Sequence, residues 1–112
     1  MAFKCSSEIA DGIARITLSG ELDAAVAPQF NTQVEWAAQA HVKRLVLLMD
    51  DLSYMSSAGL RELVFTKQKM GPRVDVYLVG VQEGVLETIK MTGVDHSVIL
   101  LDTYDAAQIE VS

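Results

Sequence analysis

The sequence predicts a mixed α/β domain: an antiparallel hairpin followed by helices alternating with strands. Three observations carry this expectation. Residues 3–9 alternate, with Phe3, Cys5, Ser7 and Ile9 set against Lys4, Ser6 and Glu8, the period of a half-exposed strand. Asp11-Gly12 follows, a dipeptide that tolerates the positive φ angles of a tight hairpin turn. Beyond it, stretches of helical spacing alternate with short apolar runs, the pattern of parallel strands joined by helical crossovers.

Residues 13–18 read as the returning strand of the hairpin. After Gly20-Glu21-Leu22-Asp23 the period changes, and Pro28 suits the first turn of a helix, where its missing N–H costs nothing. Phe30, Val34, Ala37 and His41 fall on one face of that helix, with Trp36 off the stripe at its rim or surface. Residues 45–49 form a continuous apolar run, suited to a central strand covered on both faces. A loop through Asp50, Asp51 and Ser53 is then expected. Leu60, Leu63, Val64 and Met70 give helical spacing again, stopped by Gly71-Pro72. Residues 74–79 and 98–101 read as strands, and 82–91 and 104–109 as short helices. No repeat, low-complexity tract or linker interrupts the pattern, so residues 1–112 are expected to form a single domain.

Composition narrows the function. Half of the 112 residues are hydrophobic, enough for a packed core. The formal net charge of -6, with lysines and arginines scattered, argues against nonspecific binding to nucleic acid or to an anionic membrane. Cys5 is the only cysteine, which excludes an intrachain disulfide and suits a reducing compartment. No apolar run approaches the ~18 residues needed to span a bilayer, and the N-terminal residues do not read as a secretion signal. The expected placement is the cytoplasm, without a membrane partner.

Enzyme signatures are missing. The sequence contains neither the Walker-type G-x-x-x-x-G-K-[ST] pattern nor G-x-G-x-x-G. No G-x-S-x-G elbow surrounds Ser56 or Ser57, and His41 and His96 are not in metal-ligand spacing with Cys5. Asp50 and Asp51 read as a solvated acidic pair rather than an acid–base couple. No catalytic residue, metal ligand or cofactor is assigned.

The informative segment is Tyr54-Met55-Ser56-Ser57-Ala58-Gly59-Leu60-Arg61, between an apolar strand and an amphipathic helix. On local physics, a serine there caps the helix by accepting a backbone N–H bond. The same place suits a phosphate, because free N–H groups and the positive end of the helix dipole favour negative charge. The two readings are compatible.

Together with Gly20-Glu21-Leu22-Asp23, this segment resembles the STAS domain of bacterial anti-sigma factor antagonists, and the order of elements matches along nearly the whole chain. The resemblance implies a mixed sheet with helices packed largely on one side. It implies a binding protein, not an enzyme: unmodified, it binds an anti-sigma factor that is often a serine-protein kinase, and phosphorylation releases it. A serine phosphatase of the metal-dependent type would reset the cycle.

Carried over by position, the phosphoacceptor falls on Ser57, with Ser56 as the alternative, and Asp23 corresponds to the acid beside it. Tyr54, Ser56, Ser57, Ala58, Gly59, Arg61 and Glu62 are the implied partner contacts, together with Asp23. The chain departs from the pattern of many members at Ser56, where Asp commonly precedes the acceptor, and at Leu48, where an acid is common. STAS domains also serve as unmodified interaction subunits of lipid-transport ATPases or anion transporters, which is the alternative role.

Overall fold

A computed structural model describes residues 2–110. Five strands form one sheet in the order β1-β2-β3-β4-β5, the same as their order in the chain. They are β1 (Lys4–Ala10), β2 (Ile13–Leu22), β3 (Arg44–Met55), β4 (Asp75–Val79) and β5 (Ile99–Leu101). Helices α1 (Ala27–Gln39), α2 (Ser57–Met70) and α3 (Glu83–Thr92) connect the parallel strands, and a short α4 (Ala106–Ile109) closes the described chain.

The expected hairpin is present. β1 and β2 run antiparallel, joined by Asp11 and Gly12 at φ of 55° and 77°, the left-handed pair that a two-residue turn requires. Every other strand pair is parallel.

Alternation along the strands divides the core into two clusters. Ala14, Ile16, Leu18, Leu45, Leu47, Val76 and Leu78 pack with Phe30, Val34 and Ala37 of α1, Leu60 and Leu63 of α2, and Val85 and Ile89 of α3. The opposite face presents Ile13, Val46, Tyr77 and Val79 to Ile109 of α4. Among the described residues three helices therefore cover one face, and only the four-residue α4 covers part of the other. Arg15 ties α4 down: its Nε donates to Tyr104 Oη at 2.9 Å, and Tyr104 Oη donates to Glu110 Oε2 at 2.6 Å. The Tyr104 hydroxyl, helped by the Arg15 guanidinium, holds the Glu110 carboxyl below its ordinary range.

Three expectations are corrected. The second strand does not stop near residue 18 but runs to Leu22. Asp50, Asp51 and Ser53 are not in a loop, because β3 continues to Met55. β4 pairs only with Arg44 to Leu48, so the rest of β3 has a partner on one side alone and its polar residues face solvent there. His41 does not share the buried face of α1. The helix ends at Gln39, and His41 follows at φ 54°, exposed.

The register of β2 against β3 slips twice, between Thr17 and Ser19 and between Gly20 and Glu21. At each slip β3 carries one residue more than β2, a bulge that bends a strand and re-aims its side chains. The Ser53 hydroxyl donates to Gly20 O at 3.1 Å across the second bulge. The two strands still end together, with Leu22 opposite Met55.

Candidate functional site

That common end brings the two sequence motifs together. Ser56 N donates to Leu22 O at 2.9 Å, which extends the ladder by one bond before the chain turns into α2. On the β2 side the chain turns at Asp23. Its Oδ1 accepts from the amides of Ala25 at 3.0 Å and Val26 at 3.3 Å, and its carbonyl accepts from Ala27 N at 2.9 Å. Asp23 is therefore a half-buried acid that closes the turn leading into α1, whose N-cap is Val26, and it follows Leu22, the residue bonded to Ser56.

The serines divide the two tasks anticipated for them. Ser56 is the N-cap of α2, in extended conformation at φ -78° and ψ 174°, and its Oγ accepts from Gly59 N at 3.2 Å. Its carbonyl accepts from Leu60 N at 2.9 Å. Ser57 is the first helical residue and is exposed. Among the described residues no group accepts from the amides of Ser57 or Ala58, two of the orphan donors of the helix's first turn.

Ser56→Ala is expected to cost about 1 kcal/mol, the usual worth of a serine cap, and to leave Ser57 exposed. Urea denaturation of the two proteins measures it. A loss under 0.3 kcal/mol would show that the cap bond is not a stabilising contact.

Gly59 is buried because α2 lands directly on the end of β2. A Cβ at this position would lie 2.8 Å from Leu22 O, 2.9 Å from Leu22 Cγ and 3.1 Å from Met55 Cγ. The glycine is a close-approach residue. Of the remaining residues singled out in the sequence, Tyr54 is 49 % exposed at the end of β3, Arg61 is exposed, and Ala58 and Glu62 are half-buried.

Ser57, Arg61, Phe65 and Gln68 are all exposed and spaced four, four and three residues apart, one stripe along α2. Phe65 was not anticipated from the sequence. It is 49 % exposed and borders a surface hollow with Asn31, Glu62, Gln68 and Lys69. The signal was available: Phe65 lies two steps of four from Ser57 and off the buried Leu60–Leu63 face. The site thus comprises an exposed serine at a helix start, an acid beside it, and an exposed stripe along α2 that carries one aromatic side chain, Phe65. Among the described residues no cluster of three or more histidine, cysteine or carboxylate side chains is arranged to hold a metal ion.

The architecture is a five-stranded mixed sheet with three helices on one face and an exposed serine at the start of the second helix. A family model for the STAS domain matches residues 4–107, and the chain belongs to that family.

Solved structures agree in fold. An anti-sigma factor antagonist from Mycobacterium paratuberculosis superposes with a TM-score of 0.86 at 25 % identity, over 98 % of this chain and 94 % of that one. The anti-sigma factor antagonist SpoIIAA in its unphosphorylated form gives 0.72 at 18 % identity, over 97 % and 96 % of the two chains. The Bacillus cell fate determinant SpoIIAA in the phosphorylated form gives 0.71 at 18 %, over 97 % of each chain. Comparison with curated protein sequences finds no match.

Proposed function

We propose that the protein is an anti-sigma factor antagonist that works by partner switching. Unphosphorylated, it binds an anti-sigma factor that is also a serine kinase; phosphorylation of Ser57 releases it, and a metal-dependent serine phosphatase restores it. The carrying observation is Ser57 itself, exposed at the first position of α2 with unpaired amides beside it, while Ser56 is occupied as the cap.

The electrostatics suit a switch. Helix amides and dipole stabilise a phosphate on Ser57 within the domain. The same phosphate adds about -1.5 to -2 charges that repel any partner carboxylate docked there; repulsion from Asp23 acts in both states, so it is the partner's negative charge that penalises the bound one. Tyr54 at the end of β3, with Arg61, Glu62 and Phe65 along α2, supplies the contact surface. The reading places the protein in the cytoplasm with its kinase; among the described residues no helix is long and apolar enough to cross a membrane.

The test is a pull-down from native lysate with wild type, Ser57→Ala and Ser57→Asp. Wild type and Ser57→Ala are expected to retain a kinase-fold ATPase or anti-sigma factor, and Ser57→Asp to retain at least tenfold less. Equal recovery of a transport ATPase by all three would replace this reading with a constitutive subunit of a transport complex.

A further inference from the structure

β1 is an edge strand of seven residues, and no described element pairs with its outer side. Such an edge presents a row of unused N–H and C=O groups. Which residues offer them follows from the hairpin. A two-residue turn is closed by a hydrogen-bonded pair, here Ala10 with Ile13. Lys4, Ser6, Glu8 and Ala10 therefore direct their backbone groups toward β2, and Cys5, Ser7 and Ile9 direct theirs outward.

The side chains along this edge are self-complementary. In an antiparallel pair of two β1 strands related by a two-fold axis at Ser6, Lys4 of each copy stands opposite Glu8 of the other. Cys5 meets Ser7, and Phe3 meets Ile9. The backbone parity is right as well, because Cys5 and Ser7 both carry outward-facing groups and form a hydrogen-bonded pair. Shifting the axis by one residue to Cys5 or Ser7 loses the two opposite-charge pairs. Lysine on an edge strand ordinarily discourages pairing; here a glutamate four residues away, on the same exposed face, answers it.

A second feature adjoins this edge. Ser7, Thr32, Gln33 and Trp36 line an open groove between β1 and α1, and Trp36 is 48 % exposed. A two-fold axis normal to the sheet keeps both α1 helices on the same face. The two grooves and their tryptophans then flank the axis and are partly covered on association.

We infer that β1 is a homodimerisation edge: two copies pair antiparallel through it about Ser6 and join their sheets into one of ten strands. The interface lies on the strand edge farthest from β3, so it leaves the α2 stripe free.

Sedimentation equilibrium over rising protein concentration tests this. Wild type is expected to pass from monomer to dimer. Lys4→Glu and Glu8→Lys each place like charges opposite one another twice, and each is expected to weaken association roughly tenfold. An equimolar mixture of the two variants restores the opposite pairs and is expected to dimerise at least as tightly as wild type. Both side chains are exposed, and the Glu8–Arg15 contact of 3.8 Å is a surface ion pair of little worth, so the fold is retained.

In a Cys5→Ala background, Ser6→Cys is expected to form an intermolecular disulfide under mild oxidation, and Lys4→Cys is not. A wild type that remains monomeric to millimolar concentration would overturn the inference. So would a Lys4→Glu variant that dimerises as tightly as wild type, or a Ser6→Cys variant that does not cross-link.

Discussion

Gly59→Val is expected to lower stability by roughly 3 kcal/mol and the melting temperature by roughly 12 °C. A helix interior normally gains from losing a glycine, by up to about 1 kcal/mol for alanine and less for a β-branched residue. Here that gain is outweighed. A Cβ would stand 2.8 Å from the carbonyl oxygen of Leu22, and that carbonyl is already engaged by Ser56 N at 2.9 Å. Backbone cannot withdraw as a flexible side chain does, so α2 must lift from the sheet or the strand ends must part. Either movement displaces Ser57. Calorimetry would show the drop, and an unchanged melting temperature would mean that α2 does not seat on Leu22 as described.

The other large effect belongs to the core. Phe30 is fully buried on α1, inside the cluster that joins the sheet to three helices. Phe30→Ala removes the ring and leaves a cavity that neighbours on rigid strands fill poorly, an expected loss of about 3–5 kcal/mol. Small domains hold only about 5–15 kcal/mol in total, so this variant should be close to unfolded at 37 °C. Urea midpoints at constant slope measure it. A loss under 1 kcal/mol would place Phe30 at a site able to collapse.

Most of the architecture was legible because it rests on short-range patterns. The alternation from Phe3 to Ile9 and the Asp11-Gly12 turn specify the hairpin within a dozen residues. Phe30, Val34 and Ala37 specify the inner face of α1 by spacing alone. The far half of β3 was not legible, because Asp50, Asp51 and Ser53 read as a solvated turn. They are strand residues since β2 continues beside them while β4 has already ended, and two bulges absorb the mismatch in length. That is a fact about neighbours distant in the chain, which local pattern does not contain.

The serine site shows the same division. A cap at Ser56 and an exposed Ser57 follow from a helix starting there, and their proximity to Asp23 was expected only through resemblance to a family. What puts Asp23 there is the pairing of Leu22 with Met55. The close seat of Gly59 also depends on a tertiary contact. Phe65 was missed for a different reason: exposed aromatics go unnoticed when a helix is read only for its buried stripe.

The order of strands across the sheet, identical to their order along the chain, bears on how the domain is made. During synthesis each strand after the first emerges with its neighbour already present, and none waits for a later segment to fill a gap beside it. Pairings of this kind join nearby stretches of chain and so keep loop-closure costs modest. The two turns that carry Asp23 and Ser57 are complete once β3 and the first turn of α2 have left the ribosome. β4 and β5 are then added outward from that seed, on the side away from β1, while α4 folds back over the opposite sheet face to Ile13 and Arg15, so neither β4 nor β5 borders the serine end.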